Sequence, residues 1–474
     1  MTGTDGARRL WPDGAAGPPA LHAALGSLRA ALPEGALVTD PEVIDGYRFD
    51  RSGATGVGWP LAVVRAGSTA QVQATLRWAS AHRVPVVPRG AGTGLAGGAT
   101  AVDGCLVLST ERMRTIEIDP VAQVAVVGPG ARNGEVKRAA AAHGLWYPPD
   151  PSSFETCSIG GNVATNAGGL CCLKYGVTTD YVLGLEVVLA DGRALRLGGR
   201  TVKDVVGYDL KRLFVGSEGT LGVVTEVTLR LRPAPQPHTT VVATFTDPVA
   251  AGRVVTDIRR RTRPAVLEFM DATALGAVDR LTHMGIDPEC AALVLAASDL
   301  GGPAGQAEAE LMAAACDAGG APFVAVTADP DEGEQFMACR RMAIPAVERL
   351  GTVLIEDVGV PLDRIADLVA GVQEVARRQG TTIALIGHAG DGNFHPLVVF
   401  DGGDADAVDR ARDAFGDVME VALGLGGTIS GEHGIGTLKR PWVRAQLGED
   451  VLEVMHAVKR TLDPLGILNP AKAL

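Results

Sequence analysis

The sequence predicts an α+β protein of two domains, and three observations carry that prediction. In the first half, strand patterns follow one another with few helices between them. A proline-rich break, RPAPQPH (232–238), then interrupts the chain. Beyond it, strands and helices alternate, as expected of one sheet with helices packed on it. The length of 474 residues suits two or three domains, and with 46% hydrophobic residues a large core can be buried.

Each element has its own warrant. Residues 1–20 are rich in Gly, Pro and Ala and are expected to be disordered, and LHAALGSLRAAL (21–32) reads as a helix. Residues 61–90 read strand, helix, strand, with Ser68 as N-cap and Gln71 as its reciprocal capping-box partner. Short strands are expected at CLVLST, MRTIEID and QVAVVGPG, then a helix from about 134 to 143. YVLGLEVVLADGRALRL reads as a hairpin turning at Asp191-Gly192, and TLGVVTEVTLRL as one more strand. After the break, TTVVATF, AVLEFMD, AALVLAAS and PFVAVTA are each expected to be a strand followed by a helix, the last helix running over 331–349. TVLIEDVGV, a further helix, a hairpin over 381–400, a glycine-rich loop (424–437) and a helix over 449–462 complete the chain.

Composition excludes several classes. The net charge of −12 argues against a nucleic-acid surface and a polybasic membrane patch. The seven cysteines show no C-x-x-C spacing, so an iron–sulfur or four-cysteine zinc site is not expected, and Cys171-Cys172 reads as two reduced thiols. No signal peptide and no apolar run near 18 residues is apparent, so the expectation is a cytoplasmic protein, with peripheral membrane contact left open.

Glycine, 61 residues, is about twice its usual share of roughly 7% and is clustered. In VPVVPRGAGTGLAGGAT (84–100), Gly92, Gly94 and Gly97 spell G-x-G-x-x-G. A Rossmann turn would need a helix at once and an acidic residue about 20 positions on. GATAVDGCLVLST follows instead, with more glycine and then a strand. Such glycines expose successive backbone N–H groups as a nest for phosphate oxygens. A plain turn would explain one cluster, but PPDPSSFETCSIGGNVATNAGG (148–169) and VGSEGTLGVVTEV (215–227) are two more. Three small-residue loops in one strand-rich domain fit one long, flat ligand with a pyrophosphate and an aromatic ring.

Three of nine histidines fall in two glycine-rich motifs: His388 and His395 in IGHAGDGNFHP, and His433, after Glu432, in SGEHGIG. A two-residue turn at Asp391-Gly392 would pair 388 with 395 on one sheet face, with Cβ atoms about 4.5–5.5 Å apart. Such a pair can share a metal ion or can simply bond backbone at a hairpin end. With the Glu432 carboxylate, the donor set suits Zn²⁺ or Mn²⁺ with open positions. Arg340 and Arg341 offer a bidentate cation for a substrate carboxylate, or are solvated helix charges.

In order and spacing, the three glycine clusters resemble the FAD domain of the vanillyl-alcohol oxidase / p-cresol methylhydroxylase superfamily. From about residue 35 the chain resembles its D-2-hydroxyacid dehydrogenase branch, which includes the flavoprotein chain of glycolate oxidase, D-lactate dehydrogenase and D-2-hydroxyglutarate dehydrogenase. The resemblance implies a PCMH-type FAD-binding domain over 21–235, a cap of antiparallel sheet and helices over 236–425, and a segment 426–474 returning to the FAD domain. It implies that Pro88, Arg89, Gly90, Ala91, Gly92, Thr93 and Gly94 cradle the FAD pyrophosphate. Thr156, Cys157, Ser158, Gly160, Gly161, Asn162, Asn166, Gly168 and Gly169 would lie along the flavin and ribityl chain. Glu218, Gly222 and Val224 would serve the adenine end, and Asn469 completes the set. No histidine lies between Arg89 and Thr100, so the covalent flavin link of some members is absent, and Cys157 is expected only to pack beside the flavin.

The same resemblance makes His388, His395 and Glu432 metal ligands, His433 the catalytic base, and Arg340, with Arg341 one register away, the substrate-binding cation. It implies oxidation of a D-2-hydroxy acid to the 2-oxo acid, with hydride passing to flavin N5. D-2-hydroxyglutarate dehydrogenases carry a Lys where this chain has Ile355 and an Asn where it has Leu397. Both departures favour D-lactate or glycolate over D-2-hydroxyglutarate, which is the alternative. A non-redox flavoprotein of the same fold is a further alternative, but the adjacent histidines of that group are not found. Electrons would leave to an external acceptor, whether a quinone, an electron-transfer flavoprotein or a partner subunit, and a homodimer is left open.

Overall fold

A computed structural model describes residues 19–474. The disorder expected of 1–20 lies, up to residue 18, outside the described residues, and Pro19 already opens the helix Pro19–Ala31. The chain groups into two compact units. One comprises the described residues up to Ala167, Val177–Ala234 and Glu432–Leu474; the other comprises Gly168–Gly176 and Pro235–Gly431.

The first unit holds two sheets. In the four-stranded one the order is Leu37–Val38, Ala62–Arg65, Leu106–Ser109, Val86–Arg89, and the last three strands are parallel. Their valines and leucines enter a core with Leu28, Leu76 and Trp78. The helix Thr69–His82 starts at Ser68, whose side chain accepts from the Gln71 N–H. The reciprocal bond differs from the expected one: Gln71 Oε1 takes the N–H of Gly67 (2.7 Å), one residue before the cap. No helix lies between Arg89 and Leu106, as the failed Rossmann pattern predicts. The five-stranded sheet is antiparallel, in the order Ile116–Asp119, Val124–Val127, Val223–Arg230, Val182–Val188, Ala194–Gly198. Its hairpin turns through Gly192 at φ 82°. The glycine-rich 150–180 region, which has no helical period, contains the short helix Ile159–Thr165, with Ser158 as its N-cap.

The second unit is one eight-stranded sheet in which every pairing is antiparallel. Its order is Phe323–Thr327, Thr239–Phe245, Ala292–Ser298, Val266–Asp271, Thr382–His388, Asn393–Phe400, Thr352–Ile355, with Val358–Gly359 also on Asn393–Phe400. The helix expected over 331–349 is two helices, Pro330–Arg341 and Ala343–Val347. Pro345 has no N–H for the carbonyl of Arg341, and its ring crowds that carbonyl, so the helix breaks there. A twenty-residue helix, Ala405–Gly424, fills a stretch for which the sequence pattern predicts no element. Of its buried stripe of Ala407, Ala411, Ala414, Phe415, Val418, Met419 and Ala422, four are alanine, which weakens the hydrophobic period.

The hairpin of Thr382–His388 and Asn393–Phe400 has a different register from the expected one. His388 pairs with Asn393, and Ile386 with His395. The connection is a four-residue turn, with Ala389–Asp391 in one 3-10 turn and Gly392 at φ 81°, rather than two residues. The slip is two residues, an even number, so both histidines stay on one face, as diagonal neighbours instead of direct opposites. No described helix is long and apolar enough to cross a membrane.

Candidate functional site

In the first unit the glycine clusters converge on one open cleft. It is lined by Pro88, Arg89, Gly90, Ala91, Gly92, Thr93 and Gly94 from the first cluster. Cys157, Ser158, Gly160, Gly161 and Asn162 line it from the second, and Glu218, Gly222 and Val224 from the third. Small residues are required by close approach. A Cβ on Gly160 would meet Pro129 Cβ at 2.6 Å and its carbonyl oxygen at 2.9 Å. Gly160→Ala is therefore expected to cost about 1–3 kcal/mol by overpacking and to lower bound flavin per chain, read by thermal melting and flavin absorbance. Arg89 Nη1 donates to the Phe49 carbonyl (2.8 Å), and burial lowers its pKa against the opposing pull of Asp50. Asn162 Nδ2 donates to Cys157 Sγ (3.3 Å), and burial raises the pKa of that thiol, so it stays protonated at neutral pH.

Glu432 and His433 also line this cleft. Their side chains are 11% and 13% exposed, with His433 Nε2 3.8 Å from Glu432 Oε1. A carboxylate and an imidazole thus face a cleft whose other polar side chains include Arg89, Asn162 and Glu218.

Five of the expected cofactor residues lie off the cleft and carry structural bonds or turns. Thr156 donates its hydroxyl to the Ser153 carbonyl (3.1 Å). Asn166 ends the helix Ile159–Thr165 at φ 53°, and its Oδ1 accepts from the Thr179 N–H (2.9 Å). Asn469 Nδ2 donates to the carbonyls of Gly98 (2.9 Å) and Glu218 (2.6 Å). Gly168 and Gly169 fall in the segment that groups with the second unit.

In the second unit, His388 and His395 are both buried, with ring centroids 5.2 Å apart and planes nearly perpendicular. Behind His388 runs a buried polar chain. His388 Nδ1 lies 2.8 Å from Glu268 Oε1, and the other carboxylate oxygen of Glu268 lies 2.8 Å from Arg340 Nε. The Arg340 contact is ionic rather than a directed hydrogen bond, because the N–H does not point along it. Asp357 accepts from Asn393 Nδ2 (2.6 Å) and from Ser430 Oγ (2.8 Å), and its Oδ1 is 3.7 Å from His395 Nδ1. Arg341 pairs with Glu334. Both candidate substrate cations are therefore engaged by carboxylates of their own unit.

Sequence reasoning missed Glu268 and Asp357. The signal was present: Glu268 is a lone acid in the apolar AVLEFM, and Asp357 follows the apolar TVLIE. Acids are almost never fully buried unless paired. Ile355 pairs directly with Leu397 across neighbouring strands, so the two departures from the hydroxyglutarate pattern form one apolar patch.

Residues 60–198 match the model of an FAD binding domain, and 234–473 that of the C-terminal domain of FAD linked oxidases. The GlcD chain of glycolate oxidase from Bacillus subtilis is 42% identical over 416 residues, 87% of this chain and 88% of that one. D-lactate dehydrogenase of Archaeoglobus fulgidus is 36% identical, covering 91% of this chain and 96% of its own. The crystal structure of p-cresol methylhydroxylase superposes with a TM-score of 0.80 over 96% of both chains at 17% identity, a likeness of fold. With both domain models matched and these relatives aligned nearly end to end, the chain belongs to the FAD-linked oxidase family.

Proposed function

We propose that this protein oxidises a small D-2-hydroxy acid, D-lactate or glycolate, to the 2-oxo acid with non-covalent FAD and a divalent metal, passing electrons to an external acceptor. The observation that carries the reading is the single cleft where three glycine-rich loops of an FAD-binding family meet Glu432 and His433. FAD, when bound, supplies the hydride acceptor. Histidine titrates near neutrality, so His433 suits the task of taking the C2 hydroxyl proton as hydride leaves C2.

His388, His395 and Glu432 are the proposed metal ligands. Glu268 on His388 Nδ1 supports this, because a carboxylate there fixes the tautomer and leaves Nε2 as the donor. Two imidazoles and one carboxylate suit Zn²⁺ or Mn²⁺, and such an ion, when bound, supplies a Lewis acid at the substrate hydroxyl. The Ile355–Leu397 pair supports a substrate without a second carboxylate, since neither position offers a cation or an amide. D-2-hydroxyglutarate is the alternative and would need its second carboxylate held elsewhere. The Bacillus relative is named as one subunit of its oxidase, which favours a partner subunit as acceptor over a quinone or an electron-transfer flavoprotein.

The test is anaerobic bleaching of bound flavin by D- and L-lactate, glycolate and D-2-hydroxyglutarate, with and without prior chelation. D-lactate or glycolate is expected to bleach it, the L-isomer is not, and chelation is expected to slow bleaching at least about tenfold. Bleaching indifferent to metal removal would contradict the metal assignment, and a strong preference for D-2-hydroxyglutarate would contradict the substrate.

A further inference from the structure

The surroundings of Glu218 give it a task other than touching a cofactor. It is 7% exposed and sits at φ 51°, a left-handed conformation that a glutamate adopts only where its surroundings enforce it. Its Oε1 accepts the N–H of Ile435 (2.8 Å) and its Oε2 the N–H of Gly436 (2.8 Å). Its own N–H donates to the carbonyl of Ala164 (2.8 Å), in the short helix of the second cluster. Its carbonyl accepts from Asn469 Nδ2, which also holds the Gly98 carbonyl of the first cluster. One residue thus ties together all three glycine clusters, the C-terminal segment and the loop that carries His433.

Glycine at 434 and 436 gives no side-chain packing, and Gly436, at φ 51°, lies so close to the Ala96 carbonyl that a Cβ would collide with it. The bonds on this loop include Thr437 N–H to Ala96 (2.9 Å), Leu438 N–H to Ala96 (3.2 Å), Lys439 N–H to Ile435 (3.1 Å), Ala473 N–H to Gly436 (3.0 Å) and the two to Glu218. The Glu218 pair comes from one carboxylate, and bonds to an ionised acceptor are roughly twice as strong as neutral ones. Burial pushes the Glu218 carboxyl up, while the two N–H groups and the charges of Lys439 and Lys472 oppose that shift.

We propose that Glu218 is a positioning residue for His433. Its carboxylate clamps the Ile435–Gly436 backbone and so fixes where the imidazole two residues earlier meets the substrate. A catalytic group has to be held within about 0.5 Å of its productive position, and a misplacement of about 1 Å can cost about 100-fold. The inference rests on His433 being the base.

The test uses Glu218→Gln in the flavin-loaded protein. Glutamine keeps the shape but turns an NH₂ toward one of the two backbone N–H groups. The expected result is wild-type flavin per chain, faster deuterium uptake across 432–437, and flavin reduction at saturating substrate lowered about 10- to 100-fold, with half-saturation little changed. A reduction rate per bound flavin equal to wild type would overturn the proposal. So would unchanged protection of 432–437, or a rate loss that only tracks lost flavin, which would return Glu218 to cofactor binding. Should the glutamine variant not fold, Asn469→Ala carries the test. It releases the Glu218 carbonyl while leaving the carboxylate, and is expected to show the same pattern at smaller size; wild-type uptake and reduction in it would overturn the proposal equally. If no 2-hydroxy acid reduces the wild-type flavin, the proposed function fails, while deuterium uptake still reports whether the clamp exists.

Discussion

Replacing His433 with alanine is expected to slow anaerobic flavin reduction by about 10²–10⁴-fold, the usual contribution of a positioned general base. Its imidazole faces the cleft at 13% exposure, so the substitution removes the proposed base and little core packing. Bound flavin per chain should stay at the wild-type level, because the glycine loops that line most of the cleft are untouched. Stopped-flow reduction at saturating substrate reads the rate, and the absorbance of the purified protein reads the flavin. Glu432→Ala is expected to be comparably slow with flavin retained, but through lost metal, so its metal content should drop while that of His433→Ala holds. Flavin lost in step with activity in both variants would move the pair from chemistry to cofactor binding.

How much of this was legible in the sequence follows from the kind of force involved. The glycine loops could be read because clustered glycines mark tight turns and close backbone approach within a short stretch, as at Gly92 with φ 73°. Most strands of both units could be read because they are short apolar runs bounded by turn residues, whereas the two-residue Leu37–Val38 is too short to show a pattern. The His388–His395 pair survived a wrong register because side chains alternate with period two: a slip of two residues changes the neighbour and not the face. A slip of one would have sent His395 to the opposite side. The helix Ala405–Gly424 escaped because its buried stripe is largely alanine, which hydrophobic periodicity hardly registers. Glu268, Asp357 and the clamp at Glu218 escaped for a different reason. Each is defined by a partner far along the chain, 120 residues away for Glu268 and His388 and more than 200 for Glu218 and Ile435, and no local pattern encodes such a contact.

Glu268→Ala is expected to be the most damaging substitution in the second unit, for two reasons that can be separated. Removing the carboxylate leaves the Arg340 guanidinium, 6% exposed, as an uncompensated buried charge, a loss of about 3–5 kcal/mol when one partner of a buried pair is deleted. It also removes the acceptor on His388 Nδ1, and loss of such a partner usually lowers metal affinity about 10–100-fold. Pairing Glu268→Leu with Arg340→Met distinguishes the two effects. Apolar residues of similar volume replace a buried ion pair at little or no cost, so thermal stability should return close to wild type. His388 would still lack its acceptor, so metal per chain, measured by elemental mass spectrometry after dialysis, should stay low. A double variant that regains both stability and metal would show that Glu268 serves only to neutralise Arg340. One that regains stability alone would assign Glu268 to the orientation of His388. Arg340 would then be the counter-ion of that carboxylate, so a second cation would have to bind the substrate carboxylate.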